Sequence, residues 1–347
     1  MKNRKREICT SGSVRDEDGQ PPHLLGRRQF LHLAADAAAL PAVSRIARAQ
    51  AYPSRPVRIV VGFAAGGPTD IIARLIGQWL SERLGQQFVI ENRPGAAGKI
   101  ATEAVVRAPP DGYTLLQVST SAAINATLYG KLNYDFIRDI VPVAGIIRAP
   151  GVVVVNPTVS ARTIPELIAY AKANPGKLTM ASPGTGSSPH LAGELFKTMT
   201  GVNITLVSYR GDAPAITDLL AGQVQMMIPA PAAFIEYIRA GKVRALAVTT
   251  STRWEGLPDI PTVSEFVPGY EASFWWGVGA PKNTPAEIMD RLNKEINAGL
   301  ADPKMKARLA DLGGTVLPGT PADFGKLIAD ETEKWGKVIQ AANIKAE

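Results

Sequence analysis

The sequence predicts an α/β fold in two lobes, each a doubly wound sheet flanked by helices, with a ligand cleft between them. The chain has 347 residues, of which 46% are apolar, and this is enough for two domains with a core each. From Val57 onward, short β-branched runs alternate with segments of helical periodicity, a pattern typical of parallel sheets with crossover helices. The chain ends in a mainly helical tail, which needs a sheet to cover.

The first block of elements follows from periodicity. We expect a buried strand at Val57–Phe63 and a helix at Asp70–Leu84, whose apolar residues recur on one face. The strands Phe88–Asn92 and Tyr113–Val118, with a helix near Ala97–Arg107 between them, continue the alternation. Together they predict a parallel sheet covered by helices.

The alternation resumes after Pro150. Thr163 and Glu166 form a capping box that opens a helix ending at Asn174. The other elements predicted for this block are strands at Val152–Val155, Leu178–Ser182, Val202–Val207, Val224–Ile228 and Val243–Thr249, and helices at His190–Thr200, Ala213–Ala221 and Pro231–Ala240. A strand at Gly277–Ala280 and helices at Pro285–Ala301, Pro303–Leu312 and Pro321–Ile344 complete the chain.

The N-terminus is predicted to be an export signal. Arg27 and Arg28 stand directly before an apolar stretch that is too short and too polar to span a bilayer, which resembles a twin-arginine signal. Small residues place cleavage near Ala49 or Ala51, so we expect the mature protein to be periplasmic. The alternative is an amphipathic helix of the mature protein.

The order of the blocks predicts the domain organisation. Residues 1–51 are assigned to the signal peptide, residues 52–149 and 277–347 to a discontinuous domain 1, and residues 150–276 to domain 2. A chain that returns to domain 1 can lay its helical tail on the first sheet. Ligands commonly bind in the cleft between two such lobes.

Charge and composition exclude several classes of protein. The chain has a net charge of +7, but residues 52–347 hold 29 basic and 26 acidic side chains, a net charge of only +3. No basic run occurs there, so nucleic-acid binding is not expected. The sole cysteine is Cys9, and residues 52–347 contain His190 as their one histidine, which excludes disulfides and Cys/His zinc sites there.

Three loops at strand ends carry the candidate chemistry, and the first spans Gly62 to Asp70. Its paired glycines allow close backbone approach, and the following helix N-terminus attracts an anion such as a carboxylate. This loop lacks the Gly-x-Gly-x-x-Gly pattern of a dinucleotide fingerprint, and Gly95–Ile100 lacks both the spacing of a P-loop and its Ser or Thr after the lysine. The alternative is an empty turn in which Thr69 or Asp70 caps the helix.

The second loop, Ser182 to His190, combines the hydroxyls of Thr185, Ser187 and Ser188 with two glycines and forms another anion-sized nest. Ser187 or Ser188 with His190 could instead form a nucleophile and base, although the Gly-x-Ser-x-Gly pattern is absent.

The third loop holds Arg210, which could bind a carboxylate with two hydrogen bonds or form a surface ion pair with Asp212. The pair Trp275 and Trp276 could contact a ligand or pack in the core.

Six separated motifs carry a resemblance to a known family. They are residues 62–70 (GFAAGGPTD), 91–98 (ENRPGAAG), 110–116 (PDGYTLL), 209–211 (YRG), 240–249 (AGKVRALAVT) and 258–263 (PDIPTV). In this order they resemble the extracytoplasmic solute receptors of the tripartite tricarboxylate transporter family, also called Bug receptors, over essentially all of residues 52–347.

The resemblance implies a monomeric periplasmic binding protein that closes on a small organic carboxylate and delivers it to membrane permease subunits, without cofactor or metal. Backbone amides, hydroxyls and waters hold the carboxylate in such receptors. The ligand-binding residues implied here are Phe63, Ala64, Ala65, Gly66, Gly67, Thr69, Asp70, Ser119, Ser121, Ala123, Thr185, Gly186, Ser187, Ser188, His190, Tyr209, Arg210 and Gly211.

One departure from the family bears on the ligand. Many relatives place an acidic residue after the strand at Val224–Ile228, whereas this chain has Pro229, Ala230 and Pro231. This favours a mono- or dicarboxylate or an aromatic acid over an amino acid. The competing hypotheses are a periplasmic hydrolase using Ser188 and His190, and a receptor that presents its ligand to a sensor.

Overall fold

Two mixed sheets organise the fold in the computed structural model, which describes residues 52–341 and 343–345. The predicted export segment, residues 1–51, lies outside the described residues. The strands are β1 (Val57–Val61), β2 (Phe88–Asn92), β3 (Thr114–Ser119), β4 (Ile140–Pro150), β5 (Val152–Val155), β6 (Thr179–Ser182), β7 (Thr205–Ser208), β8 (Met226–Met227), β9 (Arg244–Val248), β10 (Ser273–Pro281) and β11 (Thr315–Val316).

Helices connect and cover the strands. They are α1 (Pro68–Leu84), α2 (Lys99–Val106), α3 (Thr120–Leu128), α4 (Phe136–Asp139), α5 (Ile164–Ala173), α6 (Ser188–Thr200), α7 (Asp212–Leu220), α8 (Ile235–Arg239), α9 (Ala286–Ala301), α10 (Pro303–Asp311) and α11 (Pro321–Ala341). Among the described helices, none is both long and apolar enough to cross a bilayer.

The first sheet has the strand order β11-β4-β10-β3-β1-β2. As predicted, β1 runs parallel to β2 and β3. The expectation of an all-parallel sheet is wrong, because β10 runs antiparallel to both β3 and β4. The two long strands pair from Ser273 opposite Pro150 to Pro281 opposite Ile140. They therefore form an antiparallel ladder that needs no crossover helix.

The second sheet has the order β7-β6-β8-β5-β9 and is also mixed. β6 runs parallel to β7 and β8, and these strands alternate with α6 and α7. β5 follows β4 after the single residue Gly151 and runs antiparallel to β8 and β9. Each sheet is flanked by helices, and the fold has the two lobes that the sequence predicts.

Several elements differ from the prediction. The sequence does not predict strand β4, because Pro142, Gly145 and Pro150 are residue types that commonly interrupt strands. The structure accommodates Pro142 because β11 pairs only with the Ile147 and Arg148 end of β4, so Pro142 lies where a donor to a second neighbour is not needed. The predicted helix Pro231–Ala240 is divided into a 3₁₀ turn at Pro231–Ala233 and α8. Helices α3 and α4 and strand β11 were also not predicted.

The helical tail packs on the first sheet. α9 contacts α1 and β4, and α11 contacts α3 and β4. Trp335 of α11 is fully buried, and its Nε1 donates a hydrogen bond to Glu331 Oε2 at 3.0 Å. The tail thus supplies the cover that the first sheet needs, as the sequence predicts.

Candidate functional site

Three helices begin at the carboxyl ends of strands and direct their N-termini to one place. α1 follows β1, α6 follows β6 and α7 follows β7. Gly67 and Gly211 are the N-cap residues of α1 and α7, and neither of these described helix starts has a side-chain cap. Ser187 caps α6, its Oγ accepting a hydrogen bond from the His190 N–H at 3.4 Å. Free N–H groups at a helix start favour an anion.

A small pocket lies where these helix starts meet, and we call it the hydroxyl pocket. Its volume is about 30 Å³. Its walls are Phe63, Pro68, Thr69, Ser119, Ser121, Pro183, Ser187, Ser188, Pro189, Asp212, Ala230, Phe274 and Trp276. Both lobes contribute, since β1, α1, β3, α3 and β10 belong to the first sheet and its helices, and α6 and α7 to the second.

Hydrogen bonds hold the hydroxyls of this pocket in place. Ser121 and Ser188 pair through their Oγ atoms at 3.2 Å, and the Ser188 N–H also donates to Ser121 Oγ at 3.2 Å. Trp276 Nε1 donates to Thr69 Oγ1 at 3.0 Å. The alternative in which Thr69 caps α1 is therefore wrong, because the helix begins after Gly67 and the Thr69 hydroxyl faces Trp276.

The two tryptophans divide between the two interpretations that the sequence left open. Trp275 is fully buried and packs edge to face on Phe324 with ring centroids 5.6 Å apart. Trp276 lines the hydroxyl pocket. The first belongs to the core and the second to the candidate site.

Asp70 fixes the shape of the first loop. Its buried carboxylate accepts hydrogen bonds from the Gly66 N–H, Arg74 Nε and Asn92 Nδ2, each at 2.9 Å. Burial raises the pKa of Asp70, but the bonds from Arg74, Gly66 and Asn92 outweigh it and lower the pKa below its usual value. Asp70 is therefore an anion already satisfied by the protein.

A wider cavity of about 580 Å³ adjoins the hydroxyl pocket, with which it shares Phe63 and Pro183, and we call it the basic cavity. Its walls are Gly62, Phe63, Ala64, Pro94, Gly95, Ala96, Ala97, Lys99, Tyr129, Pro183, Gly184, Thr185, Ser208, Tyr209, Arg210 and Gly211. Lys99 and Arg210 give it two positive charges. Lys99 Nζ lies 3.6 Å from the centroid of the Tyr129 ring, a cation–π contact.

Lys99 and Asp212 line the candidate site, and neither was among the predicted ligand-binding residues. The spacing of Gly95–Ile100 excludes a phosphate loop, and this exclusion alone says nothing of a carboxylate. Lys99 is the first residue of α2 and directly follows Gly98, whose backbone is left-handed (φ 93°). A lysine at this position of a helix was the signal by which the sequence could have indicated Lys99. By contrast Arg210 was predicted, and among the described residues no ion pair joins it to Asp212.

The predicted site residues fall into three groups. Phe63, Thr69, Ser119, Ser121, Ser187 and Ser188 line the hydroxyl pocket, and Phe63, Ala64, Thr185, Tyr209, Arg210 and Gly211 line the basic cavity. The rest line neither. Ala65 and Gly66 are exposed at the loop tip, and Ala123 is buried in an apolar cluster. The Gly186 N–H donates to Nδ1 of the buried His190 at 3.1 Å.

A larger cavity of about 650 Å³ lies away from these loops, beside Arg148, Arg253, Trp254 and Lys306. All three arginines in its wall form ion pairs, Arg148 with Glu271, Arg239 with Glu236 and Arg253 with Glu265. It lacks the converging helix starts of the hydroxyl pocket. No group of His, Cys, Asp and Glu side chains in residues 52–341 and 343–345 is arranged to hold a metal ion.

Comparison with known proteins identifies the class. The model of the tripartite tricarboxylate transporter family receptor matches residues 72–344, and the chain belongs to this family of solute-binding receptors. A UPF0065 protein from the tcbD-tcbE intergenic region of a Pseudomonas species is 42% identical over 325 residues, covering 93% of this chain and 96% of that protein. The resemblance drawn from the six motifs is confirmed.

Solved structures give the same assignment. R. palustris Rpa4515, described with adipate, superposes with a TM-score of 0.83 at 40% identity, covering 85% of this chain and 99% of its own. The periplasmic binding protein BugD superposes with a TM-score of 0.82 at 36% identity, covering 85% of this chain and all of its own. The predicted periplasmic binding protein fold is confirmed.

Proposed function

We propose that this receptor captures a small organic dicarboxylate, one carboxylate entering the hydroxyl pocket and the other lying in the basic cavity. The observation that carries the proposal is the contact of these two spaces, one rich in hydroxyls and helix N-termini and the other holding Lys99 and Arg210. The adipate described with Rpa4515 has this chemistry.

The first carboxylate would be held without a cationic side chain. Ser121 and Ser188 each have a hydroxyl in the pocket, and α1 and α7 supply N–H groups without side-chain caps. Each hydrogen bond from an uncharged donor to an anion contributes about 1.5–3 kcal/mol. Several of them can replace a salt bridge.

The second carboxylate distinguishes a dicarboxylate from a monocarboxylate. The basic cavity has a volume of about 580 Å³, within the roughly 300–1,000 Å³ usual for small-ligand sites. A monocarboxylate or aromatic acid would leave Lys99 and Arg210 without an anionic partner. These cations therefore favour the dicarboxylate over the other acids.

The hydrolase hypothesis finds less support. Ser187 caps α6, and the Ser188 hydroxyl pairs with Ser121. His190 Nδ1 accepts the Gly186 N–H. We therefore propose binding without turnover.

The permease partner, the periplasmic location and a monomeric state complete the proposal. Export would depend on Arg27 and Arg28. Replacing both by Lys should retain the precursor in the cytoplasm, whereas normal periplasmic levels of the double variant would contradict the twin-arginine assignment.

Delivery to a sensor instead of a permease would be seen as wild-type uptake of the acid in a strain deleted for this gene.

A thermal-shift series tests the binding proposal. Adipate, malate, benzoate and acetate are compared, and an acid at about one hundred times its dissociation constant should stabilise the protein by about 2.7 kcal/mol, a change of a few degrees in melting temperature. We expect the dicarboxylates to act at lower concentration than benzoate or acetate. A series in which acetate equals adipate would contradict the second anion site.

A further inference from the structure

Asp212 places a carboxyl group in the wall of the pocket that is proposed to bind an anion. It is the one titratable residue among the described walls of the hydroxyl pocket, and it is only 8% exposed. Its carboxylate lies against the start of α1, since a Cβ atom built on Gly67 would be 2.6 Å from Asp212 Oδ2. A negative group thus lies at the place where the ligand carboxylate is proposed to bind.

Among the residues that the structure describes, no charged side chain forms an ion pair with Asp212. On α1, Asp70 is paired with Arg74; on α6, His190 is bonded to Gly186; on α7 itself, Asp218 accepts a hydrogen bond from Tyr209. Arg210, two residues before it, forms no ion pair with it. The strands β3 and β10 contribute Ser119 and Trp276 to the pocket and no titratable group.

Electrostatics then limits the protonation state of the occupied pocket. Two carboxylates in one buried site cannot both remain ionised at low cost, so one of them takes a proton. A protonated Asp212 would donate its O–H to the ligand carboxylate, which would keep its negative charge for the helix N-termini.

We propose that Asp212 takes up one proton from the solvent when the organic anion enters the hydroxyl pocket, so that the receptor binds anion and proton together. This inference rests on the proposed function. Burial raises the pKa of Asp212 to about 6, so the free protein carries this carboxyl mainly as the anion at pH 7.5. The proton is therefore acquired on binding and comes from the buffer.

The coupling has a measurable consequence. Above the pKa of free Asp212, the affinity for the anion should fall about tenfold for each unit of rising pH, as one linked proton requires. Asp212→Asn places an amide donor where the protonated carboxyl would be. Its affinity should be nearly independent of pH between 6.5 and 8.5.

Calorimetric titration with adipate in phosphate and in Tris at pH 7.5 tests the proposal. The difference in heat between the buffers should correspond to about one proton taken up per adipate by the wild type and to none by Asp212→Asn. Asp290→Asn, an exposed aspartate on α9, is the matched control and should behave as wild type. Asp212→Ser serves if the amide variant does not fold, and it should also bind without proton uptake.

Three outcomes would overturn the inference. Binding of adipate by the wild type without proton uptake would overturn it alone and leave the proposed function standing. Loss of affinity in Asp212→Asn at every pH, together with tighter binding of glutamate than of adipate, would show that Asp212 meets an ammonium group. Absence of binding of every acid in the thermal-shift series would overturn the proposed function and this inference with it.

Discussion

Ser121 of α3 and Ser188 of α6 share a hydrogen bond, with 3.2 Å between their Oγ atoms, although they lie 67 positions apart in the chain. The bond joins a helix of the first lobe to a helix of the second at the wall of the hydroxyl pocket. A ligand carboxylate that accepts from both hydroxyls would therefore contact both lobes at once. This geometry favours a binding site whose two halves act together.

Replacing Ser188 by Ala should weaken carboxylate binding about tenfold to a hundredfold. The variant loses one hydrogen bond to a charged group, which contributes about 1.5–3 kcal/mol, and leaves Ser121 with one partner fewer. Calorimetry measures the change. Ser160→Ala, at an exposed position, is the control, and equal binding by both variants would contradict the assignment of the pocket.

Lys99→Met should reduce affinity for a dicarboxylate more than for a monocarboxylate. The cation lies in the basic cavity, where only the second carboxylate of the ligand is proposed to reach. The measurement is the ratio of adipate to hexanoate affinity, which should fall toward one. Lys131→Met, on an exposed segment, should leave the ratio unchanged, and an unchanged ratio in Lys99→Met would remove Lys99 from the site.

Gly67→Ala should weaken binding because the added methyl group would meet Asp212. A Cβ atom at position 67 would lie 2.6 Å from Asp212 Oδ2, while the backbone at Gly67 (φ −81°) tolerates any residue. The substitution therefore acts on how closely the N-termini of α1 and α7 approach each other, and not on the backbone conformation at position 67. Gly130→Ala, where nothing lies within 4 Å of the new atom, is the control. Wild-type affinity in Gly67→Ala would contradict this close approach.

Asp212→Asn should stabilise the ligand-free protein at pH 8. Burial raises the pKa of Asp212 from 3.8 to about 6. The protonated carboxyl therefore contributes its full stabilisation of the folded protein below about pH 4, and this contribution is lost as the pH rises through 6. The asparagine variant does not suffer this loss. Its advantage at pH 8 should approach about 3 kcal/mol, since each tenfold change in proton affinity on folding corresponds to about 1.4 kcal/mol.

The measurement is the melting temperature of both proteins from pH 4 to 8. The two curves should converge at the acid end and separate above pH 6. Parallel curves would mean that Asp212 titrates in the folded protein as it does in the unfolded chain.

The sequence predicts a site residue well where the local pattern around that residue also determines its position in the folded protein. Glycines and hydroxyls at predicted strand ends indicate the loops before α1 and α6, and Arg210 at a strand end indicates the loop before α7, because a helix start beside a strand end is a local feature. Strand β4 could not be predicted in this way. Pro142 is tolerated there only because β11 is too short to pair with it, which is a property of the sheet.

Asp212 shows the same limit within the site. Its sequence neighbours suggest only an ion pair with Arg210. Its actual environment depends on Gly67, which is 145 positions away in the chain and comes close only in the folded protein. Lys99 likewise lines the same cavity as Arg210, and that cavity is built from both lobes.

The central claim is that the hydroxyl pocket and the basic cavity together form the dicarboxylate site, and a crystal structure of the complex with adipate tests it most directly. We predict one carboxylate within hydrogen-bond distance of Ser121 and Ser188, and the other beside Lys99 or Arg210. Adipate bound instead in the 650 Å³ cavity beside Arg148 and Lys306 would contradict this claim.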